Sequence, residues 1–218
     1  MSKVRPLYII GAGGFGREVA WLIERINADT LTWDFKGFID DDSILWNTTV
    51  GGYQVHGGHE YLEKQTTDLW IVMAIGNSKV RRTAIERLIP FNHIHYATLI
   101  DPSVKNSDRV AIGEGSIICA GTIITTDVVI GSHCIINLNC VIGHDAILGS
   151  FATLYPSVNA SGAVSIGETT EVGTGSAIIQ GIAIGANSII GANSTVVRDI
   201  EDDVTAVGSP AKVIKIHA

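Results

Sequence analysis

The sequence predicts two domains: an α/β, half-Rossmann-like domain over residues 1–100, and a left-handed parallel β-helix of about five coils over residues 101–218, ending in a C-terminal tail. Three observations carry this. A Gly-rich turn, Gly11-Ala12-Gly13-Gly14-Phe15-Gly16, joins a short apolar run to a helical pattern. From Ile112 onward an aliphatic residue returns at every sixth position. The 88 residues from Val110 to Val197 hold no Lys or Arg, although the whole chain has 15.

The N-terminal domain reads as alternating strand and helix. Leu7–Ile10 is a short apolar strand, and after the glycines Glu18, Val19, Leu22, Ile23 and Ile26 keep a helical spacing up to Asn27. Glycines at such a turn let the backbone bend tightly and approach a phosphate, and the helix that follows offers free N–H groups and the positive end of its dipole. Phe35–Ile39 is a second strand and runs into Asp40-Asp41-Asp42, where a fold of this type contacts a ribose or a base. Leu69–Ile75 is a third strand ending in Gly76-Asn77, and Lys79–Leu88 is a basic helix. About three parallel strands make half of a dinucleotide domain, which points to one nucleotide rather than to a dinucleotide.

In the second domain the positions from Ile112 to Val196 taken six apart number fifteen; fourteen are Ile, Leu or Val and the other is Ala160. Gly follows in eight of them, and a small residue such as Ser116, Thr122, Cys134, Cys140 or Ala146 stands four places on. A period of six fits a short strand and a corner per repeat, three repeats closing one coil, with the aliphatic residue inward, the small one beside it, and Gly at corners that need unusual backbone angles. This is the left-handed exception to right-handed crossovers. Cys134 and Cys140 are therefore expected in the core. Flat faces exposed on a single prism are usually covered by a trimer, so a homotrimer is expected. Val197–Asp203 is expected to leave the repeat, followed by the turn Val207-Gly208-Ser209-Pro210-Ala211-Lys212.

Composition excludes several classes. Charged residues are 17% of the chain against about 25% in an average soluble domain, and the net charge is −7. A nucleic-acid surface needs clustered Lys and Arg, which most of this chain lacks, and an acidic surface is repelled by anionic membranes. No apolar run reaches the length of a membrane span, and MSKVRPLYII has neither the length nor the cleavage site of a signal peptide, so a cytoplasmic protein is expected. Three cysteines without a CxxC spacing argue against a disulfide framework or a zinc site, and no metal is expected.

Taken together, GAGGFGRE (11–18), FIDDD (38–42), AIGN (74–77), NCVIGHD (139–145) and the Gly-x-Pro-Ala-Lys tail resemble the NeuD/PglD-type sugar O/N-acetyltransferases over nearly the whole chain. The resemblance implies a bacterial, acetyl-CoA-dependent trimer with sites between subunits. It implies His144 as general base, with Asp145 orienting the ring and the Gly162 N–H meeting the oxyanion. It matches Gly13, Gly14, Phe15, Asp40, Asp41, Gly76 and Asn137 to the nucleotide-sugar substrate, and Thr153, Gly162, Thr174, Ala192 and Lys212 to acetyl-CoA. Phe15 and Thr153 depart from relatives that often carry His there.

The activity this implies is N-acetylation of a nucleotide-linked amino sugar, with a UDP-4-amino-4,6-dideoxy-N-acetyl-hexosamine as acceptor, in bacterial surface-glycan synthesis. Acetylation of a sugar hydroxyl, as on sialic acid, and a non-catalytic trimeric scaffold are the alternatives. A hexapeptide carbonic anhydrase needs three His ligands, and the repeats offer only His133 and His144. An NAD-dependent oxidoreductase would need a second half-domain.

Overall fold

A computed structural model describes residues 4–217. The chain divides into two compact units, Met1–Gly76 with Val80–Pro102, and Asn77–Lys79 with Ser103–Ala218.

The first unit is a four-stranded parallel sheet flanked by helices. Its strands are β1 (Arg5–Ile10), β2 (Trp33–Ile39), β3 (Leu69–Met73) and β4 (Ile94–Tyr96), arranged β2-β1-β3-β4. The fourth strand goes beyond the three read from sequence; at three residues it is too short to show a pattern. The helix α1 (Gly14–Asp29) buries Val19, Leu22 and Ile23 of the face its spacing predicts, together with Ala20, while Ile26 is half-buried and Glu18 is exposed. Gly16 is fixed by packing, because a Cβ there would run into the Gly11 carbonyl oxygen. The basic helix is α2 (Ser78–Leu88), and Val80 onward belongs to this unit.

The second unit is the β-helix. Two-residue strands repeat every six residues from Lys105–Asn106 to Thr195–Val196, one repeat earlier than the sequence pattern shows, because Asn106 is polar where the later repeats are aliphatic. Each strand pairs in parallel with the strand 18 residues on, giving three faces. The first carries Ile117–Ile118 and Ile135–Ile136, the second Ile123–Ile124 and Val141–Ile142, and the third Val129–Ile130 and Ile147–Leu148, each continued in later coils. The inward residues from Ile118 to Val196 are at most 2% exposed; Ile112, in the opening coil, is half-buried. Ile136→Ala is expected to cost about 2–5 kcal/mol in a denaturant titration, at the upper end because the hydrogen-bonded coils on either side prevent collapse into the cavity.

The corners follow a rule that the sequence reading misplaced. A residue of positive φ stands at every sixth position from Gly115 to Asn193, three places after the aliphatic residue, and it is Gly at only four of these fourteen sites. The eight glycines directly after the aliphatic residue do not have positive φ. They are held by close approach: a Cβ on Gly143 would lie 2.5 Å from the Gly162 backbone nitrogen of the next coil. Val197–Asp203 also departs less than expected. Ile200 bridges Ile184, and Val204–Val207 continues the first face beside Ile189–Ile190 before an antiparallel strand, Lys212–Ile216, closes the end.

Cys134 and Cys140 point inward with no exposure. Their thiols donate to the Gly149 and Tyr155 carbonyls one coil on. Burial pushes the Cys140 thiol up to about 11. At pH 8 a thiol reagent is therefore expected to leave both unmodified in the folded protein and to modify both after denaturation; prompt labelling of folded protein would contradict the inward placement.

Candidate functional site

Two places gather candidate functional groups, one in each unit. The first is a cleft of about 280 Å³ at the carboxyl ends of β1, β2 and β3, beside Gly11, Asp40, Asp41, His59, Ile75 and Arg87. The chain leaves β1 for β2 on one side and returns as β3 on the other, so this is the switch point where open α/β sheets bind ligands. The Gly turn borders it. Gly13 caps α1 with no side chain on the helix N–H groups and no acid in the first turn, leaving the positive end of the dipole open. A Cβ on Gly13 would meet nothing within 4 Å, and one on Gly14 only the Arg17 guanidinium, so packing does not explain these two glycines. Phe15, in the first turn of α1, is half-buried.

The acids after β2 differ. The Asp40 carboxylate accepts from the Ala12 N–H at 2.8 Å and the Asp42 N–H at 2.9 Å, so it braces the Gly turn. Asp41 is more open. Its Oδ1 lies 3.1 Å from His59 Nδ1, and its Oδ2 accepts from Arg87 at 3.3 Å. Burial alone would raise the Asp41 carboxyl; hydrogen bonds from His59 and the charge of Arg87 outweigh it and hold the group below its ordinary range. His59 Nδ1 is also 3.0 Å from Arg87. A carboxylate only accepts and a guanidinium only donates, so this ring nitrogen serves one of them at a time. Gly76 lies past β3, its carbonyl accepting from the buried Arg81, which also holds the Ile75 carbonyl. Arg17, His59, Arg81 and Arg87 were not assigned from sequence. Only Arg17 lay inside a recognised motif.

The second place is the corner between the second and third faces. Asp145 takes the positive-φ position there, at 60°, which turns His144 outward from Ile142. His144 Nδ1 lies 2.7 Å from Asp145 Oδ2, both side chains more than half exposed. Since the carboxylate only accepts, Nδ1 carries the proton and Nε2 presents a lone pair. Gly162 is one coil on at the same corner: a Cβ there would lie 2.5 Å from His144 Cε1 and closer still to Nε2. The ring therefore rests on bare backbone. Among the described residues the Gly162 N–H donates to no other group.

The other matched residues stand elsewhere on the prism. Asn137, Thr174 and Ala192 lie at the corner between the first and second faces. Asn137 is 9% exposed, its Oδ1 accepting from the Leu138 N–H at 2.7 Å. Thr153 is buried on the first face, and Lys212 opens the exposed final strand.

The protein-family model for the PglD N-terminal domain matches residues 6–88. The UDP-N-acetylbacillosamine N-acetyltransferase of Bacillus subtilis (strain 168) is 40% identical over 121 residues, a match that spans 54% of this chain and 52% of that one. Among solved structures, PerB from Caulobacter crescentus, in complex with CoA and GDP-perosamine, is 33% identical with a TM-score of 0.86, covering 98% of this chain and 99% of that one. The acetyltransferase domain of PglB from Neisseria gonorrhoeae FA1090, in complex with acetyl coenzyme A, is 29% identical with a TM-score of 0.87, covering 97% and 100%. With its nucleotide-type cleft, its β-helix and its His144–Asp145 corner, the chain belongs to the NeuD/PglD-type sugar acetyltransferase family.

Proposed function

We propose that the protein is an acetyl-CoA-dependent N-acetyltransferase acting on a nucleotide-linked amino sugar, in the cytoplasmic stage of bacterial surface-glycan synthesis. The observation that carries this is the His144–Asp145 pair resting on Gly162. A UDP-4-amino-4,6-dideoxy-N-acetyl-hexosamine is the acceptor favoured by the named activity of the Bacillus subtilis relative.

The chemistry follows from the groups present. The acceptor amine attacks the thioester carbonyl carbon, forming the C–N bond as the C–S bond breaks. His144 Nε2 takes the proton the amine loses, and Asp145 stabilises the imidazolium. The Gly162 N–H is available to the oxyanion. The proton then passes from His144 to the departing thiolate. A thioester is already activated, so no acyl-enzyme is required.

Nucleotide binding is assigned to the first unit. The Gly13-Gly14 turn, the open end of α1 and Arg17 take phosphate, while Asp41 and Arg87 read the base and ribose side of the cleft. Arg87→Ala is expected to raise the KM for the nucleotide sugar about tenfold with kcat nearly unchanged, the sign of an interaction equal in ground and transition state. A fall in kcat alone would contradict this.

The active form is a homotrimer with sites between subunits. Ile123, Val129 and Ile147, on the two faces that flank His144, are 40–54% exposed in the single chain. Asn137, Thr174 and Ala192 stand at another corner than His144, and a neighbouring subunit could bring them together. Sedimentation is expected to give three times the 23.2 kDa chain mass; a monomer at micromolar concentration would count against it.

The deciding experiment follows thiol release from acetyl-CoA with UDP-, dTDP- and GDP-linked amino sugars. Release with one of them supports the proposal. No release with any, alongside acetylation of a sugar hydroxyl, would replace it with O-acetylation.

A further inference from the structure

His59 lines the cleft of the first unit and stands between Asp41 and Arg87. Its placement is set locally. The Asp40 N–H donates to the Gly57 carbonyl, which brings the chain back beside the end of β2. Gly58 follows, where a Cβ would press on Asp41 Oδ1 and the Trp46 ring, each 3.2 Å away. His59 then meets Asp41 with main chain and ring alike. Its N–H donates to Asp41 Oδ1 at 3.3 Å, and its Nδ1 lies 3.1 Å from the same oxygen. Resting on the nucleotide-sugar reading above, we propose that His59 is a positioning residue whose proton selects its partner: the neutral ring holds Arg87 in the cleft for the nucleotide, and the protonated ring takes Asp41 and releases Arg87.

The two states follow from one nitrogen placed between a donor and an acceptor. Arg87 Nη1 lies 3.0 Å from His59 Nδ1 and 3.3 Å from Asp41 Oδ2. In the neutral ring with its hydrogen on Nε2, Nδ1 presents a lone pair, so Arg87 bridges imidazole and carboxylate. Among the described residues the rest of the guanidinium has no partner, which leaves most of the fork for a ligand. In the protonated ring Nδ1 carries a hydrogen too. Two cations then face each other donor to donor across 3.0 Å, while Asp41 Oδ1 offers an acceptor at 3.1 Å. Arg87 must withdraw, and Asp41 spends an oxygen on the ring that a base N–H would otherwise use.

The surroundings accommodate both states. Asp41 faces the ring from the end of β2, Arg87 from α2, and Glu60 and Glu63 from the helical turn that His59 opens. His59 Nε2 is 3.4 Å from Glu60 Oε1 and 3.7 Å from Glu63 Oε1. Nε2–H therefore has a carboxylate in either state, and the added proton on Nδ1 has Asp41. Asp41 is ionised in both, because His59 and Arg87 outweigh its burial and hold its carboxyl below the ordinary range. The nucleotide binds the neutral-ring state, so affinity is full when His59 is deprotonated and is lost as pH falls, and binding expels the proton.

The test uses the full-length protein and calorimetric binding of UDP-N-acetylglucosamine, dTDP-glucose and GDP-mannose. These carry base, ribose and diphosphate but no free amine, so binding is read apart from acetyl transfer at His144. For whichever binds, affinity is expected to fall about tenfold from the alkaline to the acid end of the range in which the protein stays folded, the worth of one hydrogen bond to a charged group. At the acid end the heat is expected to vary with the ionisation enthalpy of the buffer, the sign of a released proton. His59→Asn, whose carbonyl accepts from Arg87 without titrating, is expected to bind like the unaltered protein at the alkaline end and to show no pH dependence. His144→Ala is expected to keep the dependence. A dependence that persists in His59→Asn, one that disappears in His144→Ala, or affinity that does not fall with acid would overturn the proposal. If none of the three binds at any pH, the nucleotide reading itself fails.

Discussion

His144→Ala is expected to lower kcat for acetyl transfer by about 10²–10⁴-fold, the contribution of a positioned general base, with little change in thermal unfolding. The side chain is half exposed and its hydrogen bond is to Asp145, so its removal opens no cavity and strands no buried group. Asp145→Asn should also be slow. Asparagine accepts the positive-φ corner as readily as aspartate, so the fold tolerates it. Its amide can donate to Nδ1, which drives the imidazole proton onto Nε2 and removes the lone pair the reaction needs. Steady-state rates with saturating donor and acceptor check both variants, and unchanged transfer in His144→Ala would remove the proposed base.

The β-helix was legible because its determinant is local and repeated. Each inward aliphatic residue meets its equivalents 18 residues away, so one requirement is printed fifteen times. The corner rule was less legible, because the positive-φ position accepts Asp127, His133, Asn139, Phe151 and Ala163 alike. Composition at that position therefore carries little signal, and the visible glycines beside it answer to a close approach between coils. His144, Asp145 and Gly162 were found together because a period of 18 residues converts sequence spacing into spatial neighbourhood. The first unit offers no such conversion. Asp41, His59 and Arg87 meet across separations of 18 to 46 residues, and the buried Asp101 meets Arg25 at 2.6 Å across 76. Those pairings depend on how helices and loops pack on the sheet, which no short motif records.

Gly162→Ala should approach the His144 variant in its effect, with kcat down by about 10²-fold. The added methyl would occupy space the imidazole now fills, 2.5 Å from Cε1. The ring must then swing off the corner and lose its 2.7 Å contact with Asp145. The main-chain N–H survives the substitution, so the loss reports on the ring. The double variant separates the two roles proposed for this glycine. If Gly162 acts through His144, adding Gly162→Ala to His144→Ala costs almost nothing further, and the two effects are strongly non-additive. If the losses multiply, the glycine acts independently, through the approach of the acyl group to its backbone. Wild-type kcat in Gly162→Ala would show that the ring is not confined by the coil beneath it. The base would then owe its orientation to Asp145 alone, a carboxylate more than half exposed to water.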